Sequence, residues 1–243
     1  MKSIYLCGVR IDNVSMHGAV KAALAPTGEV NVVFTPNALM LERCKRDARL
    51  SSLLSHATLS LPDGAGVLMA ARRKGTPLCE RVAGIDFARA LLCEAAKRGL
   101  RVFLLGGKEG VAALAAERLC KEIPTLRIVG THWGYFDRAG EENRRLLSMI
   151  RETRADILFV CMGFPVQEEW VVENLSSLSS LRTVACLGGS LDVFAGQVKR
   201  APRVLSSMGL EWAWRMALEP KRLCDLHYLA RFALRSLNGA ESI

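Results

Sequence analysis

Arg101-Val102-Phe103-Leu104-Leu105-Gly106-Gly107-Lys108-Glu109-Gly110 compresses a strand, a turn and the start of a helix into ten residues. Val102 to Leu105 is an unbroken apolar run, as expected of a strand covered on both faces, and the glycines after it give way to helical spacing over 110–122. The same figure recurs in both directions. Apolar runs stop at Thr35-Pro36-Asn37, at Leu61-Pro62-Asp63-Gly64, at Gly163-Phe164-Pro165 with Gln167, and at Gly188-Gly189-Ser190. The pattern predicts strands over 4–9, 30–34, 58–61, 101–105, 126–129, 156–161 and 183–187. Between them it predicts helices over 16–25, 37–54, 64–73, 87–97, 110–122, 141–151 and 166–174. Such alternation implies an α/β fold with a mostly parallel sheet and helices on both faces. Ligands of open α/β sheets lie beyond the carboxyl ends of the strands, so these loops are expected to converge on one crevice.

After Gly196 the rhythm changes. Lys199-Arg200-Ala201-Pro202-Arg203 is a basic, proline-broken link, and no strand pattern follows it. Leu210, Trp214 and Leu218 share one helical face opposite Glu211, Arg215, Glu219 and Arg222, with a break at Pro220. Leu223, Leu226, Leu229, Ala233 and Leu237 then lie opposite His227, Arg231 and Arg235. The expected organisation is a candidate catalytic domain over 1–196, built on a Rossmann-like sheet, and a basic amphipathic helical appendage over 197–243 that either associates with a membrane or packs on the body or at a subunit interface.

Composition supports that division. A chain of 243 residues, 50% of them hydrophobic, is long enough for one large α/β domain with a buried core. Its net charge of +9 calls for acidic partners: nucleic acid, anionic lipid or phosphorylated substrates. Between Gln197 and Arg235 eight basic residues stand against three acidic ones, so this stretch carries +5 of the total. Each basic residue beside an anionic leaflet contributes ~1 kcal/mol, enough in combination to hold a protein at an anionic membrane surface. The eight cysteines are scattered from Cys7 to Cys224 without C-x-x-C or histidines at ligand spacing, which indicates neither zinc nor a disulfide framework. Met1-Lys2-Ser3-Ile4 leads into a strand pattern and not a signal peptide, and no apolar run is long enough to span a bilayer. The expectation is a cytoplasmic protein, peripheral on the inner face of the plasma membrane.

Asp63 is the only acid among the five loops, and Gly64-Ala65-Gly66 after it lets a ligand come close. It is either a catalytic carboxylate facing the crevice or a helix N-cap. Asn37 has the same two readings, cap or holder of a sugar hydroxyl, and Thr35 shares the ambiguity. Arg81 is a pocket residue or a solvated charge; Gln167 is a ligand contact or a first-turn polar residue. Gly106-Gly107-Lys108-Glu109-Gly110 resembles a phosphate-cradling turn, because backbone N–H groups and a helix N-terminus favour anions. It lacks G-x-G-x-x-G spacing, and the next strand ends at Gly130-Thr131 with no acid for a ribose, which argues against a nicotinamide cofactor. No D-x-D pair occurs. No metal and no cofactor are therefore expected, and if a diphosphate leaves during a reaction, arginines with helix N-termini must stabilise it.

Taken in order, several stretches resemble the TagA/WecG/CpsF family of bacterial glycosyltransferases over nearly the whole chain. They are Thr35-Pro36-Asn37, Leu61-Pro62-Asp63-Gly64, Arg81-Val82-Ala83-Gly84-Ile85-Asp86, Phe103-Leu104-Leu105-Gly106-Gly107, Gly134-Tyr135-Phe136, Met162-Gly163-Phe164-Pro165-Val166-Gln167-Glu168, the run from Leu187 to Pro202, Gly209-Leu210-Glu211-Trp212 and Glu219-Pro220-Lys221-Arg222. The resemblance implies an inverting transferase that moves N-acetylmannosamine, or its uronic acid, from a UDP-sugar to N-acetylglucosamine on undecaprenyl diphosphate. Such enzymes make wall teichoic acid linkage units, enterobacterial common antigen and related surface polymers. By the same resemblance Asp63 matches the base, and Thr35, Asn37, Arg81 and Gln167 match pocket residues. Gly106, Gly107, Gly163, Gly188, Gly189 and Asp192 complete the expected substrate-binding set. Thr35-Pro36-Asn37 is closer to the teichoic-acid branch than to the uronic-acid branch. Arg215 and Arg222 match arginines that reach the diphosphate, whereas Asp225 stands where relatives usually carry another basic residue.

The implied partners are a UDP-sugar donor, a polyprenyl-diphosphate-linked acceptor, an anionic membrane surface and a second copy of the chain, with no nucleic acid. Two other classes fit the sequence less well. An epimerase or dehydrogenase acting on a nucleotide sugar is disfavoured by the missing cofactor fingerprint. A basic nucleic-acid-binding protein is disfavoured because the few aromatic residues are not interleaved with the basic ones.

Overall fold

The structure is a computed structural model that describes residues 2–202, 205, 213–214, 216 and 226–237. The chain opens with two short strands, β1 (Ser3–Leu6) and β2 (Val9–Asp12), paired antiparallel. The single strand predicted over 4–9 is thus a hairpin, because Cys7 and Gly8 both take positive φ (51° and 80°) and reverse the chain. Buried Asp12 at its end accepts the Ser60 N–H at 2.8 Å, and Arg10 donates to the Ala57 and Thr58 carbonyls. The hairpin is thereby fastened to one edge of the main sheet.

That sheet has six parallel strands: β3 (Asn31–Phe34), β4 (Leu59–Ser60), β5 (Arg101–Gly106), β6 (Arg127–His132), β7 (Ile157–Cys161) and β8 (Thr183–Cys186). Their order is β4-β3-β8-β7-β5-β6. Every residue of β3, β7 and β8 is buried, as a parallel sheet covered on both faces requires. Successive side chains alternate between two cores: Phe34, Phe103, Leu105, Leu158, Val160 and Val184 enter one, Val33, Val102, Leu104, Ile157, Phe159 and Ala185 the other. At the opposite end Asp156 accepts from the Arg101 backbone and side chain, at 2.8 and 3.1 Å. Burial works to raise the Asp156 pKa, but those bonds and the guanidinium charge hold it below its ordinary value.

Helices cover both faces. On the first face lie α2 (Ala38–Arg46), α3 (Ala48–Ser55), α4 (Ala65–Arg73), α7 (Glu141–Glu152), α8 (Val166–Glu173) and α10 (Leu226–Leu237). On the second lie α1 (Met16–Ala23), α5 (Gly84–Lys97), α6 (Val111–Glu122) and α9 (Ser190–Phe194). The helix predicted over 37–54 is two. Asp47 adopts extended backbone (φ −131°) and caps α3 by accepting the Arg49 N–H, so the apolar phase continues while the helix does not. Beyond Gly196 the described part of the appendage packs on the sheet domain. Phe232 of α10 is buried in the first core, and Arg235 pairs at 3.2 Å with Glu42, itself fully buried on α2 and also paired with Arg46. Among the described residues no helix is long and apolar enough to cross a membrane.

Candidate active site

The connection from β5 runs outward to β6, while the connection from β7 runs the other way to β8, so the loops at their carboxyl ends part and leave a crevice. All five loops singled out in the sequence emerge on this side. From β4 to β5 they span four strand spacings, ~19 Å.

At one end three loops are stitched together by their backbones. Asp63 N–H donates to the Pro36 carbonyl at 3.2 Å, and Val82 N–H donates to the Pro62 carbonyl at 3.0 Å. Thr35, Asn37, Asp63 and Arg81 are therefore carried by one cluster of loops, although up to 46 positions separate them. Gly84 lies against Thr35, where a Cβ would come within 3.4 Å of the threonine side chain. Asn37 caps α2, its Oδ1 accepting the Met40 N–H at 3.2 Å. The cap uses only the carboxamide oxygen, which leaves the two Nδ2 hydrogens for a ligand and makes the two sequence readings compatible. Asp63 is different. The N-cap of α4 is Gly64 (φ +88°), with no side-chain cap, and half-buried Asp63 stands one residue before that cap.

The other end is built of glycine. Gly106 has φ +139°, and a Cβ there would lie 2.2 Å from the Cys161 carbonyl oxygen. Gly107 (φ +69°) donates to that same carbonyl at 3.2 Å and accepts the Gly134 N–H at 2.8 Å. Only glycine permits β5 and β7 to end this close together. Gly163 (φ +82°) and Gly188 (φ +55°) have open space around the Cβ position. Gly189 leads into α9, where a Cβ would lie 3.6 Å from the Asp192 carboxylate in the first turn of that helix. Half-buried Asp192 thus lies beside the Gly188-Gly189 turn.

Gln167 ties the loops after β7 and β8 to each other. Its Oε1 accepts the Gly163 N–H at 3.3 Å and the Gly188 N–H at 3.0 Å, while its Nε2 donates to Glu168 Oε1 at 2.8 Å. From the other side Thr35 Oγ1 donates to the Cys186 carbonyl at 3.2 Å, so the exit of β8 is clasped by both residues. Arg43 of α2 stacks over Phe164 with its guanidinium 5.0 Å from the ring centroid, which ties the helix capped by Asn37 to the loop after β7. Glu168, adjacent to Gln167, is fully buried, and burial pushes its pKa up to about 7.

Two connections escaped the sequence reading. One is Glu168, which follows Gln167 and precedes a partly exposed Glu169 with nothing in the pattern to separate the two. The other is a bidentate pair at 2.6 Å between Arg200, in the basic link, and Asp86, in the first turn of α5. Arg215, Arg222 and Asp225 lie outside the described residues. Among the described residues no three His, Cys, Asp or Glu side chains gather as metal ligands would. Two open hollows of about 440 and 390 Å³, one between α1 and α5 and one beside α6 and β6, contain none of the predicted site residues.

The model of the Glycosyl transferase WecG/TagA/CpsF family matches residues 4–240. The chain belongs to this family. Among its relatives, the N-acetylglucosaminyldiphosphoundecaprenol N-acetyl-beta-D-mannosaminyltransferase of Bacillus subtilis (strain 168) is 33% identical over 206 residues, 85% of this chain and 78% of that protein. The protein of the same name from Staphylococcus aureus (strain MRSA252) is 32% identical over 242 residues, 98% of this chain and 93% of that protein. The WecG/TagA/CpsF match takes in both ends of the crevice, the basic link and α10.

Proposed function

We propose that this protein is an inverting, metal-independent glycosyltransferase that moves N-acetylmannosamine from a UDP-linked donor to N-acetylglucosaminyl-diphospho-undecaprenol. One observation carries the reading. Asp63, which is not the cap of its helix, stands on a loop hydrogen-bonded to those of Thr35, Asn37 and Arg81, at the carboxyl edge of the sheet. An acceptor sugar hydroxyl is a poor nucleophile until a carboxylate within hydrogen-bond reach takes its proton, and Asp63 supplies that base. The nucleotide occupies the glycine end, where backbone N–H groups and the start of α6 suit a diphosphate. Arg215 and Arg222 of the C-terminal segment stabilise the charge that develops on the leaving UDP, and Arg81 lines the pocket beside Asp63.

The name shared by the relatives supports the acceptor, and the basic C-terminal segment supports a membrane-facing role for residues 197–243. The decisive assay is incubation with a panel of UDP-N-acetylhexosamines and a short-chain lipid-diphosphate-linked N-acetylglucosamine, followed by product mass. A product heavier by one N-acetylhexosamine, made from the manno donor alone, is expected. UDP release without any acceptor dependence would remove the transferase reading. Removal of the chain from Pro202 onward is expected to weaken both liposome binding and transfer to the lipid acceptor; unchanged values for both would refute the membrane role.

A further inference from the structure

In the first turn of α8 a fully buried carboxyl group makes a single side-chain hydrogen bond. Glu168 Oε1 accepts from Gln167 Nε2 at 2.8 Å, and its Oε2 is buried with no partner. An apolar side chain of similar volume would avoid that unmade bond and pack at least as well. What the position supplies is therefore the acceptor at Oε1. Gln167, only 3% exposed, directs its own oxygen at two backbone donors, Gly163 N–H and Gly188 N–H. Turned over, its NH₂ would face those two N–H groups and its oxygen would face the carboxyl oxygen of Glu168. The carboxyl group and the two glycines thus admit one orientation of the amide.

We propose that Glu168 is a positioning residue for donor binding: by fixing the Gln167 carboxamide it holds the loops after β7 and β8 at the spacing that receives the nucleotide diphosphate. The inference rests on the donor-binding reading above and extends it to a side chain that touches no substrate. Without the acceptor at position 168, Nε2 is buried with nothing to donate to, the amide reorients, and both glycine N–H groups lose their partner together. Gly163 and Gly188 have open space at the Cβ position, so no side-chain packing there replaces the lost bonds.

The test combines hydrogen exchange on the substrate-free protein with donor kinetics, for E168L, E168D and E168Q. In E168L the Gly163 and Gly188 amides are expected to lose protection together by about ten-fold or more, with donor KM raised by about ten-fold and kcat changed far less. E168D, one methylene short of Nε2, is expected to behave alike, and decides the matter if E168L does not fold. E168Q offers an amide oxygen in the same place and should stay within about two-fold of the wild type on both measures. Unchanged protection in E168D and E168L, or E168Q as impaired as E168L, overturns the proposal, as does lost protection with an unaltered donor KM. The exchange measurement needs no substrate. A wild type that transfers nothing from any UDP-sugar therefore defeats the donor reading, while the exchange result reports separately on the clasp.

Discussion

The two ends of the crevice are made by opposite means. At the β3–β4 end the loops present side chains, Thr35, Asn37, Asp63 and Arg81, on backbones bonded to one another through Pro36 and Pro62. At the β5–β7 end they withhold them: Gly106 and Gly107 bring the backbone to the ligand side where a single Cβ would collide with Cys161 or Val111. A base must be aimed by a side chain, whereas a diphosphate is best met by many N–H donors at close range. Under the proposed function the difference separates chemistry from binding along the same sheet edge, and mutations at the two ends are expected to fail differently.

The largest effect belongs to the polar end. Asp63→Asn keeps the shape of the side chain but cannot take a proton, so turnover is expected to fall by about 10²–10⁴-fold. UDP affinity, measured by calorimetry, should stay within about two-fold of the wild type if the nucleotide binds, as proposed, at the other end. Transfer at a near-normal rate would remove Asp63 from the role, and a parallel loss of UDP binding would erase the separation of the two ends. Gly106→Ala should fail through stability instead. The added methyl meets a backbone carbonyl at 2.2 Å that cannot swing aside, at a φ of +139°, and the cost is about 3 kcal/mol or more of stability. Gly163→Ala is the control: with open space and φ +82° it carries only conformational strain, about 1–2 kcal/mol. Urea unfolding of both variants measures the contrast.

Between the two ends, Glu168 makes stability depend on pH. Burial keeps its carboxyl protonated up to about 7, while the unfolded chain releases that proton near the ordinary value of 4.5. The folded state therefore binds more protons over that window, and stability falls as pH rises through it. The loss approaches about 3 kcal/mol by neutral pH. Glu168→Gln has nothing to ionise, so its stability relative to the wild type should improve steadily from pH 4.5 to 7. Parallel pH profiles for the two proteins would show that residue 168 does not titrate in this window.

Much of this was legible in the sequence because strand ends announce themselves. Apolar runs closing on Thr35-Pro36-Asn37, Leu61-Pro62-Asp63-Gly64 and Leu105-Gly106-Gly107 mark both the sheet and its carboxyl edge, since glycine and proline are used where the backbone must turn sharply. Local reversals carried by ordinary residues stayed hidden. Cys7 takes φ 51° inside an apolar run, and Asp47 breaks a helix whose apolar positions keep phase from Cys44 to Leu54. Contacts between distant residues were hidden for another reason. Nothing in Gln167-Glu168-Glu169 says which glutamate is buried, and nothing near Glu42 announces Arg235, 193 positions later. Those depend on which strands become neighbours, and the order β4-β3-β8-β7-β5-β6 is not written in any local pattern.

The smallest effect concerns the outer tie between the two ends. Asp86 follows the Arg81 loop and so belongs to the polar end; Arg200 follows α9 and so belongs to the glycine end. Their bidentate pair closes at 2.6 Å, but the side chains are 38% and 36% exposed, which leaves water to screen them. Coupling in a double-mutant cycle of Asp86→Ala and Arg200→Ala is expected at about 0.2–1 kcal/mol, toward the upper end because the geometry is bidentate. The cycle removes whatever else either side chain does alone. The coupling should shrink in 1 M salt, where the Debye length is about 3 Å. A coupling well above about 1 kcal/mol, or one insensitive to salt, would mean that the pair is shielded from water and that the ends are joined more firmly than by the Thr35 and Arg43 contacts alone.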